Sequence, residues 1–470
     1  INTQPAWLET TGNPAIAQNF MTAKVTTPAP KEFSDRLYFI NNLGAADVRA
    51  SRAVWNNPVG GALQWNNPPR NAILDTKGEI RWYMKADRIY DPESLYDAGI
   101  MMGFHQNADG ALSWGYGQHY AKYDLLGRKV FNRRLPANYA DFSHAMMPAE
   151  NGGYFLRVAS PDLRRADDTR VRTVRDVIIE VDASGEVVDE WRLFEILDPN
   201  RNIVLKSIDQ GAVCLNIDTS QSGKTLSAEQ LAKLEAQHAF GDIAGTGAGR
   251  NWAHVNSVDH DPVDDSIILS SRHQSAVVKI GRDKQVKWIL AAPNGWRDGL
   301  KDKVLTPVGK DGRPLSCRIG KCEGGFDWTW TQHTAWKIDE LSKGDIVYVS
   351  VFDNGDGRAF VQPEDQNEKY SRAVVYKIDQ KAMTVEQVWE YGKERGHELY
   401  SPITSSVEYQ ADKNSVVVYW ASIGTGSKTG PAPVLTEFRW GETKPAFEMH
   451  LKGGMGYRAL PIDAQKAFVR

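Results

Sequence analysis

The chain has 470 residues, with 56 lysines and arginines against 59 aspartates and glutamates, 41% hydrophobic residues and three cysteines. The net charge of -3 excludes the basic excess of a nucleic-acid-binding protein, and no polybasic block indicates a membrane surface as partner. No run of about 18 to 20 apolar residues occurs, so we expect no membrane-spanning helix.

The N-terminal segment is polar, contains several prolines and shows no clear periodicity. We expect residues 1–34 to be a linker or the remnant of an N-terminal region, and residues 35–470 to form one catalytic domain. The chain begins at Ile1 instead of Met, which predicts a processed product or a fragment.

From residue 72 onward one pattern recurs six times: a short apolar strand, a polar turn with Asp or Gly, and a second strand that often ends on Trp. The six segments are Ala72–Trp82, Lys122–Val130, Ile178–Val188, Val277–Trp288, Val374–Trp389 and Leu435–Gly441. Alternating β-branched and aromatic residues around such turns are typical of β-hairpins.

Five further strand pairs accompany these hairpins. They span His144–Val158, His254–Ser270, His333–Val351, Thr404–Trp420 and Tyr457–Val469. Units of four strands that recur about every 50 residues are the sequence pattern of propeller blades. We therefore predict an all-β fold, a six-bladed β-propeller with long inter-strand insertions, and a pair of β-sandwiches is the alternative.

Two insertions interrupt the repeat. Leu226–Phe240 begins with a capping-box pattern and predicts a short amphipathic helix over one face, while Asn294–Asp327 predicts a long loop.

Two weaker motifs lack the context of a cofactor site. Gly245–Gly249 leads into a strand, unlike a dinucleotide fingerprint, and Asp353–Gly357 lacks the final Glu of a calcium loop and predicts a hairpin turn.

Three histidines, His144, His254 and His333, stand at the head of the first strand of their units. In a propeller this strand lines the central channel, so equivalent residues converge at one end of the axis. We expect the three imidazoles to meet at this mouth, which is the candidate site. Thr404 and Tyr457 take the same position in the two following units.

Arg272 ends the strand that returns from the His254 strand and should reach the same mouth. An arginine beside imidazoles makes an anion-binding pocket, unless it pairs with Asp264 or Asp265 in the neighbouring turn. The histidines could bind Zn²⁺ and activate water, or one could be a nucleophile for a phosphoryl or sulfuryl group while others donate protons. No carboxylate is placed to support three metal-bound histidines, which favours the direct chemistry.

Six long motifs carry a family resemblance: Gly249-Arg-Asn-Trp-Ala-His-Val-Asn-Ser257, Asp264-Asp-Ser-Ile-Ile-Leu-Ser-Ser-Arg-His273, Ile280-Gly-Arg-Asp-Lys-Gln-Val-Lys-Trp-Ile-Leu290, Thr331-Gln-His-Thr-Ala-Trp336, Phe352-Asp-Asn-Gly-Asp-Gly-Arg358 and Val388-Trp-Glu-Tyr-Gly-Lys-Glu-Arg-Gly396. They resemble the bacterial periplasmic aryl-sulfate sulfotransferases that do not use phosphoadenosine-phosphosulfate. The resemblance runs from about Phe33 to the C-terminus. It implies a six-bladed propeller, an N-terminal β-sandwich that we expect to be largely absent from this chain, and in most members a homodimer.

The resemblance also implies a reaction, transfer of a sulfuryl group from a phenolic sulfate ester to a phenol by a ping-pong route. Carried over residue by residue, it makes His333 the nucleophile that becomes sulfated. It makes His254 and Arg272 the groups that hold the sulfate oxygens, and His144 the remaining histidine of the site. No metal and no other cofactor is implied, and the partners are small phenolic molecules.

Further residues follow from the same resemblance. Asn256 and Thr404 become polar lining for the substrate, and Tyr457 becomes an aromatic wall for the phenol ring. Cys317 and Cys322 resemble the family's short disulfide, with two free thiols as the alternative; an oxidising periplasm favours the bridge, which would position the loop before the nucleophile.

Other possibilities stay open at this point. Cys214 lies in an apolar strand and predicts a buried free thiol. A metal-dependent hydrolase or lyase would use the histidine cluster as ligands, and a non-enzymatic propeller would use the same mouth only for binding.

Overall fold

The computed structural model describes residues 8–9, 20–44, 69–84, 89, 100–160, 168, 177–199, 201, 227, 229, 232–233, 252–361 and 365–466. In these residues the chain forms six sheets of four or five strands and one separate two-stranded hairpin. Each of the six sheets is a blade, so the predicted six-bladed β-propeller is confirmed and a pair of β-sandwiches is excluded.

The strands of the first half of the chain make up blades 2 and 3, most of blade 1 and the outermost strand of blade 6. They are β1 (Leu8–Glu9), β2 (Thr22–Thr27), β3 (Leu37–Leu43), β4 (Pro69–Asp75), β5 (Ile80–Met84), β6 (Met102–Gln106), β7 (Leu112–Tyr116), β8 (His119–Tyr123), β9 (Lys129–Arg134), β10 (Met146–Pro148), β11 (Tyr154–Val158), β12 (Val177–Val181) and β13 (Val187–Arg192).

The strands of the second half make up blades 4 and 5, four strands of blade 6, the inner strand of blade 1 and the separate hairpin β19–β20. They are β14 (Val255–Asp261), β15 (Ser266–Ser271), β16 (Ala276–Gly281), β17 (Val286–Leu290), β18 (Thr306–Pro307), β19 (Cys317–Arg318), β20 (Lys321–Cys322), β21 (His333–Lys337), β22 (Ile346–Asp353), β23 (Arg372–Asp379), β24 (Thr384–Tyr391), β25 (Ser406–Gln410), β26 (Ser415–Trp420), β27 (Val434–Arg439), β28 (Phe447–Lys452) and β29 (Met455–Pro461).

The order of strands defines the blades and the strand of each that lines the channel. Blades 2, 3 and 4 are β6–β9, β10–β13 and β14–β17, blade 5 is β21–β24 with β18 outside, and blade 6 is β25–β28 with β2 outside. Blade 1 runs β29-β3-β4-β5-β1. The inner strands are therefore β29, β6, β10, β14, β21 and β25.

The ring closes at both termini of the described chain, which corrects one prediction. β2 pairs with β28 of blade 6, so Thr22–Thr27 is propeller structure and not linker. β29 pairs with β3, near the start of the chain. Strands from the two ends of the described chain therefore pair with each other twice. In an open ring, the edges of β3 and β28 that these pairings cover would lack hydrogen-bonded partners. The end of the strand pair predicted for Tyr457–Val469, from residue 467 on, lies outside the described residues.

Tryptophans of the fourth strands, three of which end predicted hairpins, join neighbouring blades. Trp82, Trp191, Trp288 and Trp389 stand in the fourth strand of four blades and are at least nine-tenths buried. Their indole N–H groups donate to Leu125 O, Gly281 O, Gln380 Oε1 and Glu442 O of the next blade at 3.0, 3.1, 3.0 and 2.9 Å. Each side chain thus fills the apolar space between two blades and satisfies its polar atom across the junction.

Helical structure is short throughout the described residues. It comprises one α-helical turn, Leu193–Ile196, and the 3₁₀ segments Lys31–Phe33, Arg272–Gln274, Lys301–Lys303, Arg358–Phe360, Gln366–Glu368 and Lys393–Leu399. None of these helices is long and apolar enough to span a bilayer. The insertion predicted at Leu226–Phe240, apart from isolated positions, and Cys214 and Gly245–Gly249 lie outside the described residues.

Candidate active site

The structure brings the three predicted histidines together at the heads of the inner strands. His144 precedes β10, His254 immediately precedes β14, and His333 is the first residue of β21. The side chains are 4%, 2% and 4% exposed, and one ring nitrogen of each lies within 4.8 Å of the other two. Blades 3, 4 and 5 therefore present one compact cluster of imidazoles to the channel.

The backbone at this cluster is in an unusual conformation. His144, His254 and Thr404 have φ angles of 68°, 44° and 56°, in the left-handed region that non-glycine residues avoid. At His333 the left-handed residues are its neighbours Thr331 and Thr334, with φ of 47° and 57°. Such conformations cost about 1–3 kcal/mol each and concentrate at functional sites, where the surrounding fold holds them.

Asn354 fixes the orientation and the tautomer of His333. The Asn354 Nδ2 group donates to the carbonyl oxygens of Ser401 at 2.6 Å and Thr404 at 3.2 Å, which leaves Oδ1 facing the imidazole. Because Oδ1 can only accept, Nδ1 of His333, 2.8 Å away, carries the proton. Nε2 of His333 therefore holds the lone pair.

Two predicted lining residues act on His333 through the backbone. The amide N–H of Thr404 donates to Nε2 of His333 at 3.2 Å, while the Thr404 hydroxyl donates to Ile403 O. Asn256 donates to Gln332 O at 2.7 Å and accepts from the amide of Thr334 at 3.3 Å. Asn256 thus holds the peptide groups on both sides of the histidine.

His144 is held by groups that donate to its ring. Nη1 of the fully buried Arg157 lies 3.4 Å from Nδ1 of His144, and Ser143 Oγ also contacts this nitrogen. A guanidinium can only donate, so Nδ1 accepts and Nε2 of His144 carries the proton. That Nε2 is 3.3 Å from Nε2 of His254, which is therefore the acceptor of the pair.

Arg272 supplies a cation at the edge of the cluster. It follows β15, is 5% exposed and donates to Pro402 O at 3.0 Å. Its guanidinium lies 3.7 Å from the carboxylate of Asp356, not beside Asp264 or Asp265, the partners considered from the sequence. Burial alone would raise the pKa of Asp356, but Lys369, 2.9 Å away, and Arg272 hold it below its ordinary value.

The electrostatics of the cluster keep His254 and His333 neutral. Burial lowers the pKa of His254 well below 6.5, and His273, His144 and Arg272 lower it further. Burial and Arg272 likewise lower the pKa of His333, against the opposing hydrogen bond to Asn354. Neutral imidazoles retain the lone pair that a nucleophile or a base requires.

Tyr457 closes one side of the cluster. Its ring centroid lies 5.9 Å from that of His144, and its hydroxyl donates to His144 O at 3.4 Å. The side chain is 5% exposed and comes from β29, so blade 1 adds an aromatic wall to the imidazoles of blades 3 to 5.

Comparison with known proteins decides the family. The sequence profile of the arylsulfotransferase (ASST) family matches residues 22–458. The chain belongs to the arylsulfotransferase family. The arylsulfate sulfotransferase AssT of Escherichia coli is 46% identical over 434 residues, 87% of this chain and 70% of that protein. The AssT of Lelliottia amnigena is 44% identical over 416 residues, 85% of this chain and 67% of that protein.

The protein is therefore a transferase of the aryl-sulfate sulfotransferase type. Among solved structures, a protein of unknown function from Bacteroides caccae is similar with a TM-score of 0.42 and 10% identity, over 91% of this chain and 98% of that chain. That similarity is too weak to support any statement about this sulfotransferase.

Four residues of the sulfotransferase site were missed by sequence reasoning. Asn354 and Asp356 lie in the Asp353–Gly357 motif, where a hairpin turn was predicted; the connection between β22 and β23 instead runs from 354 to 371 and reaches the histidines. Arg157 lies inside the buried strand β11. Because an arginine is rarely buried without a specific partner, its place in an apolar strand is a sequence signal of a functional or structural role. His273, whose ring lies 4.4 Å from that of His254, directly follows Arg272.

The predicted disulfide between Cys317 and Cys322 is confirmed. The two cysteines pair across the short hairpin β19–β20. The hairpin carries Gly320 (φ 74°), where an added Cβ would come within 2.8 Å of the ring of Trp330, three residues before the predicted nucleophile. The bridge thus holds a hairpin against the segment that leads into His333.

Proposed function

We propose that the protein transfers a sulfuryl group from a phenolic sulfate ester to a phenol through a sulfohistidine at Nε2 of His333. One observation carries the proposal: Asn354 fixes the proton on Nδ1 of His333, so the lone pair of Nε2 lies within the imidazole cluster beside Arg272. The resemblance of the Thr-Gln-His-Thr motif supports the same choice of nucleophile.

In the first half-reaction, Nε2 of His333 attacks the sulfur of the donor ester. The bond between sulfur and the aryl oxygen breaks, and its electron pair leaves with the phenolate. The product on His333 is a sulfonated imidazolium, because Nδ1 keeps its proton. The amide of Thr404, which donates to Nε2 in the resting site, is then placed to donate to a sulfuryl oxygen.

In the second half-reaction, the oxygen of the acceptor phenol attacks the same sulfur. Nε2 of His254, neutral and the acceptor of the His144 pair, takes the phenol proton. The bond between nitrogen and sulfur breaks, and its electron pair returns to Nε2 of His333. The proton then passes from His254 to solvent, and the site returns to its starting state.

Positive charge and fixed donors supply most of the catalysis. Sulfuryl transfer resembles phosphoryl transfer, in which a loose transition state spreads charge over the nonbridging and leaving oxygens. Arg272, the amide of Thr404 and the Nε2–H group of His144 are the donors that we assign to this charge. Tyr457 packs against the aryl ring, and Asn256 keeps the peptide groups around His333 in place.

A metal centre at the same histidines is less well supported. The nitrogen atoms are close enough to approach one ion, and the 3.3 Å between His144 and His254 fits one edge of a zinc tetrahedron. However, Arg157 holds the His144 tautomer with its proton on that nitrogen, and Arg272 adds further positive charge. Both features oppose a divalent cation.

We also propose that the protein works in the periplasm. The disulfide between Cys317 and Cys322 supports an oxidising compartment. Fractionation of the native host, with the enzyme followed by activity and by thiol labelling, tests this: oxidised enzyme in the periplasmic fraction is expected, and reduced enzyme in the cytosol would contradict it.

The function is tested with the His333→Asn variant and 4-nitrophenyl sulfate as donor, phenol as acceptor. We expect at least a thousandfold loss of phenyl sulfate formation, whereas His450→Asn, a matched change at a 39% exposed histidine of blade 6, should keep full activity. Near-normal transfer by His333→Asn would refute the proposal. Loss of wild-type activity in chelator, restored by zinc, would favour the metal centre.

A further inference from the structure

A second cavity lies on the axis below the histidine cluster. It has a volume of about 340 Å³ and is lined by residues of all six inner strands, among them His105, Asp259, Trp336, Glu408 and Arg458. None of its lining residues belongs to the predicted active site. On five of the six inner strands these residues follow a residue of the candidate site, so the cavity lies further along the channel. We call it the lower chamber.

The lower chamber opens toward the outside of the propeller. A larger groove of about 740 Å³ shares His105, Glu340, Glu408, Tyr409 and Leu460 with it. That groove extends to Asp412, whose side chain is 58% exposed. The lower chamber is polar and large enough to admit water. Since one water molecule takes about 30 Å³, the chamber has room for on the order of ten molecules.

The side chain of Arg458 lines the lower chamber and reaches across the channel, directly after Tyr457 of the candidate active site. It starts from β29 in blade 1, donates to Phe104 O of blade 2 at 3.3 Å, and stacks on Trp336 of blade 5 with its guanidinium carbon 4.7 Å from the ring centroid. It is only 5% exposed. One side chain therefore contacts three blades around the axis.

A bulge in β29 explains how neighbouring residues serve both cavities. The register between β29 and β3 shifts between Gly456 and Arg458, which inserts an extra residue into β29. Tyr457 therefore contacts His144 on the upper side, and Arg458 crosses the channel directly below it. Burial lowers the pKa of both His333 and His105, and the charge of Arg458 lowers each further, so Arg458 lies within electrostatic range of both.

We propose that Arg458, stacked on Trp336, is a plug that keeps water of the lower chamber away from the sulfohistidine and so favours transfer to a phenol over hydrolysis. The inference rests on the proposed function. In hydrolysis, a water oxygen attacks the sulfur, the nitrogen–sulfur bond breaks with its electron pair returning to Nε2 of His333, and the water proton passes to His254. The products are hydrogensulfate and the free enzyme, so the two acceptors compete for one intermediate.

The test compares the two fates of the sulfuryl group in ¹⁸O-labelled water. With 4-nitrophenyl sulfate and phenol, mass spectrometry measures inorganic sulfate carrying one ¹⁸O atom against phenyl sulfate. We expect Arg458→Ala and Trp336→Ala each to raise this ratio at least tenfold, and the double variant to add little, because both remove the same plug. Tyr409→Phe, which changes the chamber lining at a residue whose hydroxyl donates to Asn414 and not to the plug, should leave the ratio unchanged.

The outcomes separate the plug from the proposed function. An unchanged ratio in Arg458→Ala or Trp336→Ala, even with both rates reduced, overturns the plug, because the side chain then acts only through its charge or on folding. Trp336→Ala keeps the cation and decides the matter where Arg458→Ala does not fold. Absence of phenyl sulfate with the wild-type enzyme would instead overturn the proposed function.

Discussion

Asn354 gives the sharpest test of how the fold prepares His333. Replacing it with Leu keeps the approximate volume but removes the acceptor of the Nδ1 proton and the donor to Thr404 O. Ser401 O keeps a second donor, the hydroxyl of Ser371 at 3.1 Å. Two buried polar groups therefore lose a partner, at about 1–3 kcal/mol each, and the free energy of unfolding should fall by about 2–6 kcal/mol.

The effect of Asn354→Leu on activity follows from the tautomer. The hydrogen bond to Nδ1 favours the reactive form of His333 by about 1–3 kcal/mol, and 1.36 kcal/mol corresponds to a factor of ten. We expect kcat/KM for 4-nitrophenyl sulfate to fall about 5- to 150-fold, with the loss mainly in kcat. Asn354→Asp should instead raise the pKa of His333 and move the acid limb of the pH profile upward.

The assay measures nitrophenolate release under steady-state conditions from pH 5 to 9, beside urea unfolding of the same variants. Ser371→Ala, which removes a hydroxyl that contacts the backbone of Asn354 and Ser401, is the matched control and should keep an unchanged pH profile. Folded Asn354→Leu with wild-type kcat and Asn354→Asp with an unshifted acid limb would refute the positioning role.

Three further predictions concern charge and stability. The lowered pKa of His333 predicts that the acid limb of kcat/KM lies below pH 6.5. Below that pH the unfolded chain binds a proton at this histidine that the folded protein does not bind. The free energy of unfolding should therefore also fall as pH drops below 6.5, which urea titration at each pH measures. Arg272→Ala should lower kcat by about 10²- to 10³-fold and Arg272→Lys by less, because lysine keeps the charge but not the fork; equal losses would contradict this. Joint replacement of Cys317 and Cys322 by Ser should cost about 2 kcal/mol of unfolding free energy with transfer retained, and loss of activity in folded protein would show a stronger link to His333.

The repeat pattern predicted the blades because each hairpin buries one face and turns at Asp or Gly. The same logic failed for β2, whose side chains alternate between exposed and half-buried on the outer edge of blade 6. Its half-buried face offers only two small apolar side chains, Ala23 and Val25, to the core, and its partner β28 lies more than 400 residues later in the chain. Ring closure is therefore a property of the assembled fold that local patterns do not encode.

The histidines could be predicted as a cluster because the propeller places equivalent residues together. Asn354 could not, because its contact with His333 depends on strand pairing: His333 lies opposite Phe352 across β21 and β22, and Asn354 follows two residues later. No sequence pattern singles out Arg458. Its course across the channel depends on a bulge that the sequence does not reveal.

His333 is the residue that we propose to carry the sulfuryl group between donor and acceptor. The most direct measurement is mass spectrometry of the protein after brief treatment with 4-nitrophenyl sulfate, digested under mildly basic conditions. We expect a sulfuryl adduct on the peptide that contains His333. This adduct should disappear when phenol is added and should be absent from the His333→Asn variant. An adduct on another residue, or rapid transfer with no adduct on the trapped enzyme, would contradict the proposal.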